Sequence, residues 1–329
     1  MNTFFKAFTI QEDNDGAFTS SIKRKDISSL PDGDLTIRVK YSSLNYKDAL
    51  SSTGNKGITK SYPHTPGIDA VGVVESSENN NFKIGDKVIV TGYDLGMNTS
   101  GGYGQYIRVP SQWAVALPKG LTSKESMALG TAGLTAGLCV RALDKKNGIH
   151  GKDAVVTGAT GGVGYLAVQL LVKLGANVTA VTGKHDAKEM LESFGVDEIL
   201  NREQFKLCFR QPLSRGKWDI GIDVVGGEFL SGLLTCLKPQ GSIASCGHVG
   251  GPNFETNVFP FILRGNSLIG IGSADESIKE KETIWDLFSK EWKLDLENYT
   301  RVVSLEELDI EVSKILKGAQ KGRTVISLD

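Results

Sequence analysis

The residues with the clearest chemical bearing are glycines, in Ala154-Val155-Val156-Thr157-Gly158-Ala159-Thr160-Gly161-Gly162-Val163-Gly164. An apolar, β-prone run feeds a glycine-rich loop. The loop feeds Val163–Leu174, where Val163, Leu166, Ala167, Leu170, Leu171 and Leu174 recur at helical spacing. Strand, glycine loop and helix together present backbone N–H groups and a helix N-terminus to a pyrophosphate. Gly158, Thr160, Gly161, Gly162, Val163 and Gly164 are therefore candidate contacts to a dinucleotide, and the chemistry that follows is redox. The spacing is Gly-x-x-Gly-x-x-Gly, with Ala159 where the commoner pattern has glycine. A tight strand-to-helix turn without a ligand is the alternative. Against it, Leu174-Gly175 supplies a helix stop and Asn177–Val181 a second strand, completing a βαβ unit.

The end of that second strand reads the adenosine ribose. Chains that take NAD usually carry Asp or Glu there, about 20 residues past the loop. This chain has Thr182-Gly183-Lys184 instead. With a cation and a hydroxyl present and no carboxylate to repel a 2′-phosphate, the expected cofactor is NADPH. A solvated Lys184 opening a helix is the alternative. Arg202, after the third strand, is placed either for the 2′-phosphate and adenine or as a surface arginine.

The elements that position these residues change character along the chain. Thr36–Tyr41, Ala70–Glu75, Lys87–Thr91, Tyr103–Val109 and Ala114–Leu117 are short β-prone runs separated by turns, which predicts a compact β domain. Ser123–Leu143 reads as a helix with Ser123 as its cap. From Asp153, strands and helices alternate, which predicts a parallel sheet covered on both faces. Helices around Lys281–Lys290 and Leu305–Leu316 follow, and a last strand, Thr324–Leu328, is expected to return to the first domain.

The 329 residues suffice for two domains, and 37 basic against 38 acidic residues leave a net charge of −1. No global field favours nucleic acid or a membrane surface. The four cysteines have no metal-type spacing. Met1–Ala7 lacks the apolar core of a signal peptide, and no window is uninterruptedly apolar over a membrane-spanning length. The expectation is a cytoplasmic protein with no nucleic-acid or membrane partner.

The order of β domain, alternating domain and return segment resembles the medium-chain dehydrogenase/reductase superfamily over nearly the whole chain. Zinc-dependent members carry Gly-His-Glu and a four-cysteine lobe. Here the matching place reads Pro66-Gly67-Ile68-Asp69-Ala70-Val71-Gly72, and no cysteine precedes Cys139, so no metal is expected. Ser43-Leu44-Asn45-Tyr46-Lys47-Asp48, Gly130-Thr131-Ala132-Gly133-Leu134-Thr135-Ala136, Ser245-Cys246-Gly247 and Pro260-Phe261-Ile262-Leu263-Arg264-Gly265 narrow the resemblance to the zinc-independent acryloyl-CoA reductase and quinone oxidoreductase family. His248, and Gly272 in Gly270-Ile271-Gly272-Ser273, depart from the family pattern.

The resemblance implies an α/β fold, with a doubly wound Rossmann sheet over 123–272 and a GroES-like barrel over 1–122 and 273–329. It implies NADPH-dependent reduction of an activated double bond in an enone or enoyl-CoA, acryloyl-CoA to propanoyl-CoA being the best guess. Quinone reduction is the alternative, and an NADPH-binding sensor is the non-enzyme alternative. Tyr46 is the leading catalytic donor, because phenols, with an ordinary pKa of about 10, stay protonated at neutral pH. Asn45 is the second candidate. Tyr46 and Thr131, with Gly247, His248, Ile262 and Ser273, are also implied to border the cofactor. Arg323 is placed either to meet an anionic substrate, such as a CoA phosphate, or to tether the tail. Asp69 reads as a brace more than as a catalytic group, and His64 as an ordinary polar residue. Ser267–Ile271 is expected to be a sheet edge, which suggests a homodimer.

Overall fold

The computed structural model describes residues 4–329; Met1–Thr3 lie outside the described residues. Two compact units emerge, one of residues 1–131 with 274–329 and one of residues 132–273. The first unit opens with a hairpin, β1 (Phe4–Glu12) and β2 (Phe18–Asp26). Then follow β3 (Leu35–Ser43), α1 (Tyr46–Ser52), β4 (Asp69–Ser77), β5 (Lys87–Thr91), β6 (Tyr106–Val109) and β7 (Ala114–Ala116). In β3 the period-two pattern is plain: Leu35, Ile37 and Val39 are buried while Arg38 and Lys40 are exposed.

Helix α2 (Ser123–Asn147) carries the chain from the first unit into the second. Thr122, rather than the expected Ser123, is its cap. The Glu125 N–H donates to Thr122 Oγ1 at 3.1 Å, and the Thr122 N–H donates to Glu125 Oε2 at 2.8 Å, a reciprocal capping box set one residue earlier. Gly130, with φ at 53°, breaks the helical path. On average composition α2 is apolar and long enough to span a bilayer, but 83% of its most apolar window is buried, as in a core helix.

The second unit alternates β8 (Asp153–Thr157), α3 (Gly162–Lys173), β9 (Asn177–Val181), α4 (Lys188–Ser193), β10 (Glu198–Leu200), α5 (Arg202–Lys206), β11 (Trp218–Asp223), α6 (Gly227–Thr235), β12 (Leu237–Ser245), α7 (Phe259–Arg264) and β13 (Ser267–Gly270). Its sheet is parallel throughout, in the order β10-β9-β8-β11-β12-β13. This doubly wound order reverses direction beside β8, where such sheets take ligands. Phe205 is fully buried, with the rings of Phe209, Trp218 and Phe229 around it.

The chain then returns to the first unit through α8 (Ile278–Ser289), β14 (Thr300–Val303), α9 (Leu308–Leu316) and β15 (Arg323–Ser327). β15 pairs antiparallel with β3 and parallel with β14, closing a seven-stranded sheet. The tail strand thus returns as its position predicts. Val303, Leu308, Val312 and Ile326 of the tail share one core with Phe8, Leu35 and Ile37.

Candidate functional site

In the second unit, β8 ends at Thr157 and the chain turns at Gly158, whose φ of +61° is open to glycine. Gly161 caps α3 in extended conformation. A Cβ on Gly164 would stand 2.2 Å from the Gly158 carbonyl oxygen. Only glycine lets α3 come down onto the loop so closely. At the next strand end, Thr182 and Thr160 meet hydroxyl to hydroxyl at 2.9 Å, and the Lys184 N–H donates to Thr182 Oγ1 at 3.1 Å. A Cβ on Gly183 would be 2.6 Å from Arg202 Nε, so the Arg202 guanidinium lies against the Gly183 backbone. The structure therefore brings together Thr160, Thr182, Gly183, Lys184 and Arg202.

Asp223, at the end of β11, is a residue that sequence reasoning missed. Its fully buried carboxylate accepts from Thr157 Oγ1 at 2.6 Å and from the Gly226 N–H at 2.9 Å, with Ser245 Oγ at 3.4 Å. Burial pushes the carboxyl up, and these donors offset part of that rise. One side chain thus ties the ends of β8, β11 and β12. Gly247 lies hard against the Val224 carbonyl, which a Cβ would meet at 2.2 Å. His248 is exposed beyond it. Ser273 Oγ accepts from Thr135 Oγ1 at 2.6 Å. Ile262 stands apart from these, 70% exposed on α7.

In the first unit, the chain changes from strand to helix just before Tyr46. β3 stops at Ser43 and α1 starts at Tyr46, with Asn45 as its cap. The Asn45 N–H donates to Asp48 Oδ2 at 2.8 Å. Asn45 Nδ2 donates to Asp69 Oδ2 at 2.8 Å and to Asp48 Oδ2 at 3.2 Å, while Asn45 Oδ1 accepts from Arg323 at 3.1 Å. Its amide is used up, so the structure corrects the expectation that Asn45 donates to a substrate: it positions α1.

Arg323 is corrected too. It is 2% exposed and donates to the carbonyls of Ala128 and Leu44, to Ser43 Oγ and to Asn45. A guanidinium so enclosed tethers the tail strand and meets no CoA phosphate. Tyr46, by contrast, is 43% exposed, and its hydroxyl has no hydrogen-bond partner among the described residues.

Asp69 is the hub of this half. Besides Asn45, its carboxylate accepts from Ser43 Oγ, from the Thr131 N–H at 2.9 Å and from Thr131 Oγ1 at 2.6 Å. Gly130 makes this possible: its left-handed φ frees the Thr131 N–H from the helix, and a Cβ there would stand 2.6 Å from Asp69 Oδ2. His64 is buried, with Nε2 3.0 Å from the Gly96 carbonyl oxygen. Among the described residues, no three His, Cys, Asp or Glu side chains gather as metal ligands.

Asp48 is fully buried, and its carboxyl is pushed up to about 7 by burial first and by the Asp69 charge second. An unfolded Asp titrates near 4. Between those values the folded state holds the proton and the unfolded state does not. Stability from this group is therefore present below about pH 4 and lost as pH rises to about 7. Denaturant unfolding from pH 4 to pH 7.5 should show the wild type losing roughly 3 kcal/mol more than Asp48→Asn. Parallel curves for the two proteins would refute this assignment.

Residues 31–119 match the alcohol dehydrogenase GroES-like domain, and residues 162–290 match the zinc-binding dehydrogenase family. The chain is 38% identical to acrylyl-CoA reductase AcuI of Ruegeria pomeroyi over 99% of both sequences. It is 40% identical, over the full length of both, to YhfP of Bacillus subtilis, which is named for a quinone oxidoreductase. Among solved structures, the yhdH oxidoreductase from Salmonella enterica in complex with NADP superposes with a TM-score of 0.95 at 38% identity, covering 98% of this chain and 100% of that one. Bacillus subtilis yhfP with NAD bound superposes with a TM-score of 0.95 at 38% identity, covering 99% and 100%. The chain belongs to the medium-chain dehydrogenase/reductase superfamily, in its zinc-independent family of acryloyl-CoA reductases and quinone oxidoreductases.

Proposed function

We propose that this protein uses NADPH to reduce the activated C=C bond of an α,β-unsaturated carbonyl, with acryloyl-CoA giving propanoyl-CoA as the physiological reaction. The observation that carries the reading is Tyr46: an exposed phenol at the start of α1 with no hydrogen-bond partner among the described residues. The identity to acrylyl-CoA reductase AcuI supports the choice of substrate.

The second unit fits NADPH. The loop from Gly158 to Gly164 leads glycine backbone into the N-terminus of α3, where a helix favours an anion. Thr182-Gly183-Lys184 carries no carboxylate, and Arg202 brings a second cation beside it. Lys184 and Arg202 would hold the 2′-phosphate, and Gly161, Gly162 and Val163 the pyrophosphate. Yhfp was solved with NAD and yhdH with NADP; the charge pattern here favours the phosphorylated cofactor.

When bound, NADPH supplies a hydride to the β-carbon of the substrate. The π electrons then move toward the carbonyl oxygen, and the Tyr46 hydroxyl donates a hydrogen bond to the charge that builds there. The α-carbon takes its proton from Tyr46 or from water. Asn45, Asp48 and Asp69 do not react; they fix the start of α1, and so the Tyr46 backbone.

A quinone is the second reading, favoured by the identity to YhfP. The same phenol would donate to a quinone oxygen. We also propose a homodimer formed by pairing of β13, an edge strand, with its copy.

Ranking acryloyl-CoA, simple enones and quinones by kcat/KM with NADPH tests the substrate. Acryloyl-CoA should lead; a quinone ranked first favours the second reading, and no turnover with any of them favours a sensor. Tyr46→Phe should lower kcat by about a hundredfold with NADPH affinity retained; full kcat would remove Tyr46 from the chemistry. Lys184→Asp should weaken NADPH binding by about tenfold or more, and unchanged affinity would contradict the 2′-phosphate assignment. Sedimentation at micromolar concentration should show a dimer, and a monomer would count against pairing at β13.

A further inference from the structure

Lys47 follows Tyr46 directly, in the first turn of α1. It is half-buried, and its side chain's hydrogen-bond partner is a thioether: Nζ lies 3.9 Å from Met97 Sδ. Such a sulfur is a weak acceptor and brings no charge. The position is unfavourable on two counts. A cation in the first turn of a helix opposes the positive end of the helix dipole. A cation partly removed from water is costly without an anion beside it. The nearby acids do not supply one. Asp48, next in sequence, turns inward, where its carboxylate accepts from the Asn45 and Ile68 N–H groups at 2.8 Å each. Asp94, on the turn that carries Met97, is spent on Asn98 Nδ2 at 2.8 Å and on Thr99 Oγ1 at 2.9 Å.

That turn is braced from within. Leu95 is fully buried, the Gly96 N–H donates to the Thr99 carbonyl at 2.8 Å, and the Met97 N–H donates to the Asp94 carbonyl at 3.1 Å. Lys60 joins it from another segment: its N–H donates to Asn98 Oδ1 at 3.2 Å, and its side chain is exposed. Neither Lys47 nor Lys60 has an acidic partner among the described residues, whereas Lys56, between them in sequence, is paired with Glu12. Two unneutralised ammonium groups therefore border one turn, and one of them adjoins the residue that carries the exposed phenol.

We propose that Lys47 is a specificity-determining residue that takes a phosphate of the coenzyme A portion of the substrate, with Lys60 extending the same positive rim. The proposal rests on the enoyl-CoA reading above. An acyl-CoA meets Tyr46 through its thioester and carries its phosphates at the other end of a flexible pantetheine arm. The Lys47 ammonium offers three donors as a point charge, a mode of phosphate binding that needs no fixed fork geometry. Its stem, resting on Met97, is already partly ordered, so less freedom is lost when the phosphate arrives. The ion pair forms away from the reacting carbons. It holds ground state and transition state equally, and so acts on KM rather than on kcat. A neutral quinone or a simple enone offers this cation nothing to meet, so Lys47 ranks acyl-CoA substrates above them.

The test compares acryloyl-CoA with acryloyl-N-acetylcysteamine, the same thioester without the nucleotide, in the full-length wild type, Lys47→Met and Lys47→Arg. Lys47→Met should raise KM for acryloyl-CoA by about tenfold, with kcat within about twofold. Its effect on KM for the truncated thioester should be much smaller, and Lys47→Arg should recover most of the loss. Calorimetric titration of coenzyme A into each protein reads the same contact without turnover, and Lys47→Met should raise that Kd by about tenfold. Equal effects of Lys47→Met on the two thioesters would show a structural role and overturn the proposal. So would a coenzyme A Kd that Lys47→Met leaves unchanged, or a wild type that does not bind coenzyme A. Binding of coenzyme A through Lys47 without turnover of acryloyl-CoA would instead overturn the reduction reading and leave the phosphate contact standing.

Discussion

A carboxylate taken out of water must be met by donors, or its burial costs several kcal/mol. Each unit of this protein is organised around that constraint. In the first unit, Asp69 draws Ser43, Asn45 and Thr131 onto itself. In the second, Asp223 draws Thr157, Gly226 and Ser245. In both cases the donors come from segments far apart in sequence, so satisfying one side chain fixes several loops. The start of α1, the break in α2 and the ends of three parallel strands all follow from where these two carboxylates sit.

Glycine makes the close approaches possible. Gly130 sits against Asp69, Gly164 against the Gly158 carbonyl, and Gly247 against Val224, at distances no Cβ tolerates. Gly158 and Gly130 also take φ values that other residues adopt at a cost. The glycine loop is thus a packing device as well as a surface of N–H groups: Gly164 brings α3 down, and the helix N-terminus comes with it. Tyr46 illustrates the complementary case. Its backbone is fixed by the Asn45–Asp48 capping box, while its hydroxyl is left uncommitted.

What the sequence makes legible is local. The Gly158–Gly164 loop, the parallel strands and the return of the tail strand are written in short patterns of apolar spacing and turn residues. Thr182-Gly183-Lys184 is equally local, and Arg202 joins it because β9 and β10 are neighbours in the sheet. What resisted reading is set by distant partners. Asn45 and Arg323 look available in the sequence, yet the Asn45 amide is spent on Asp48 and Asp69, and Arg323 donates to Asn45 Oδ1 from the far end of the chain. Asp223 resembles any acidic residue at a strand end until Thr157, Gly226 and Ser245 surround it. The helix at Tyr46 starts for the same reason: Asp48 and Asp69 hold the Asn45 cap.

The proposed reaction delivers hydride to the β-carbon of an enoyl thioester and a proton to its α-carbon. Its most direct test is turnover of acryloyl-CoA with NADPH deuterated at the transferring C4 position, followed by NMR of the propanoyl-CoA formed. The account predicts deuterium at C3 of the product and hydrogen from solvent at C2. Deuterium at C2, or a propanoyl product free of deuterium, would contradict it.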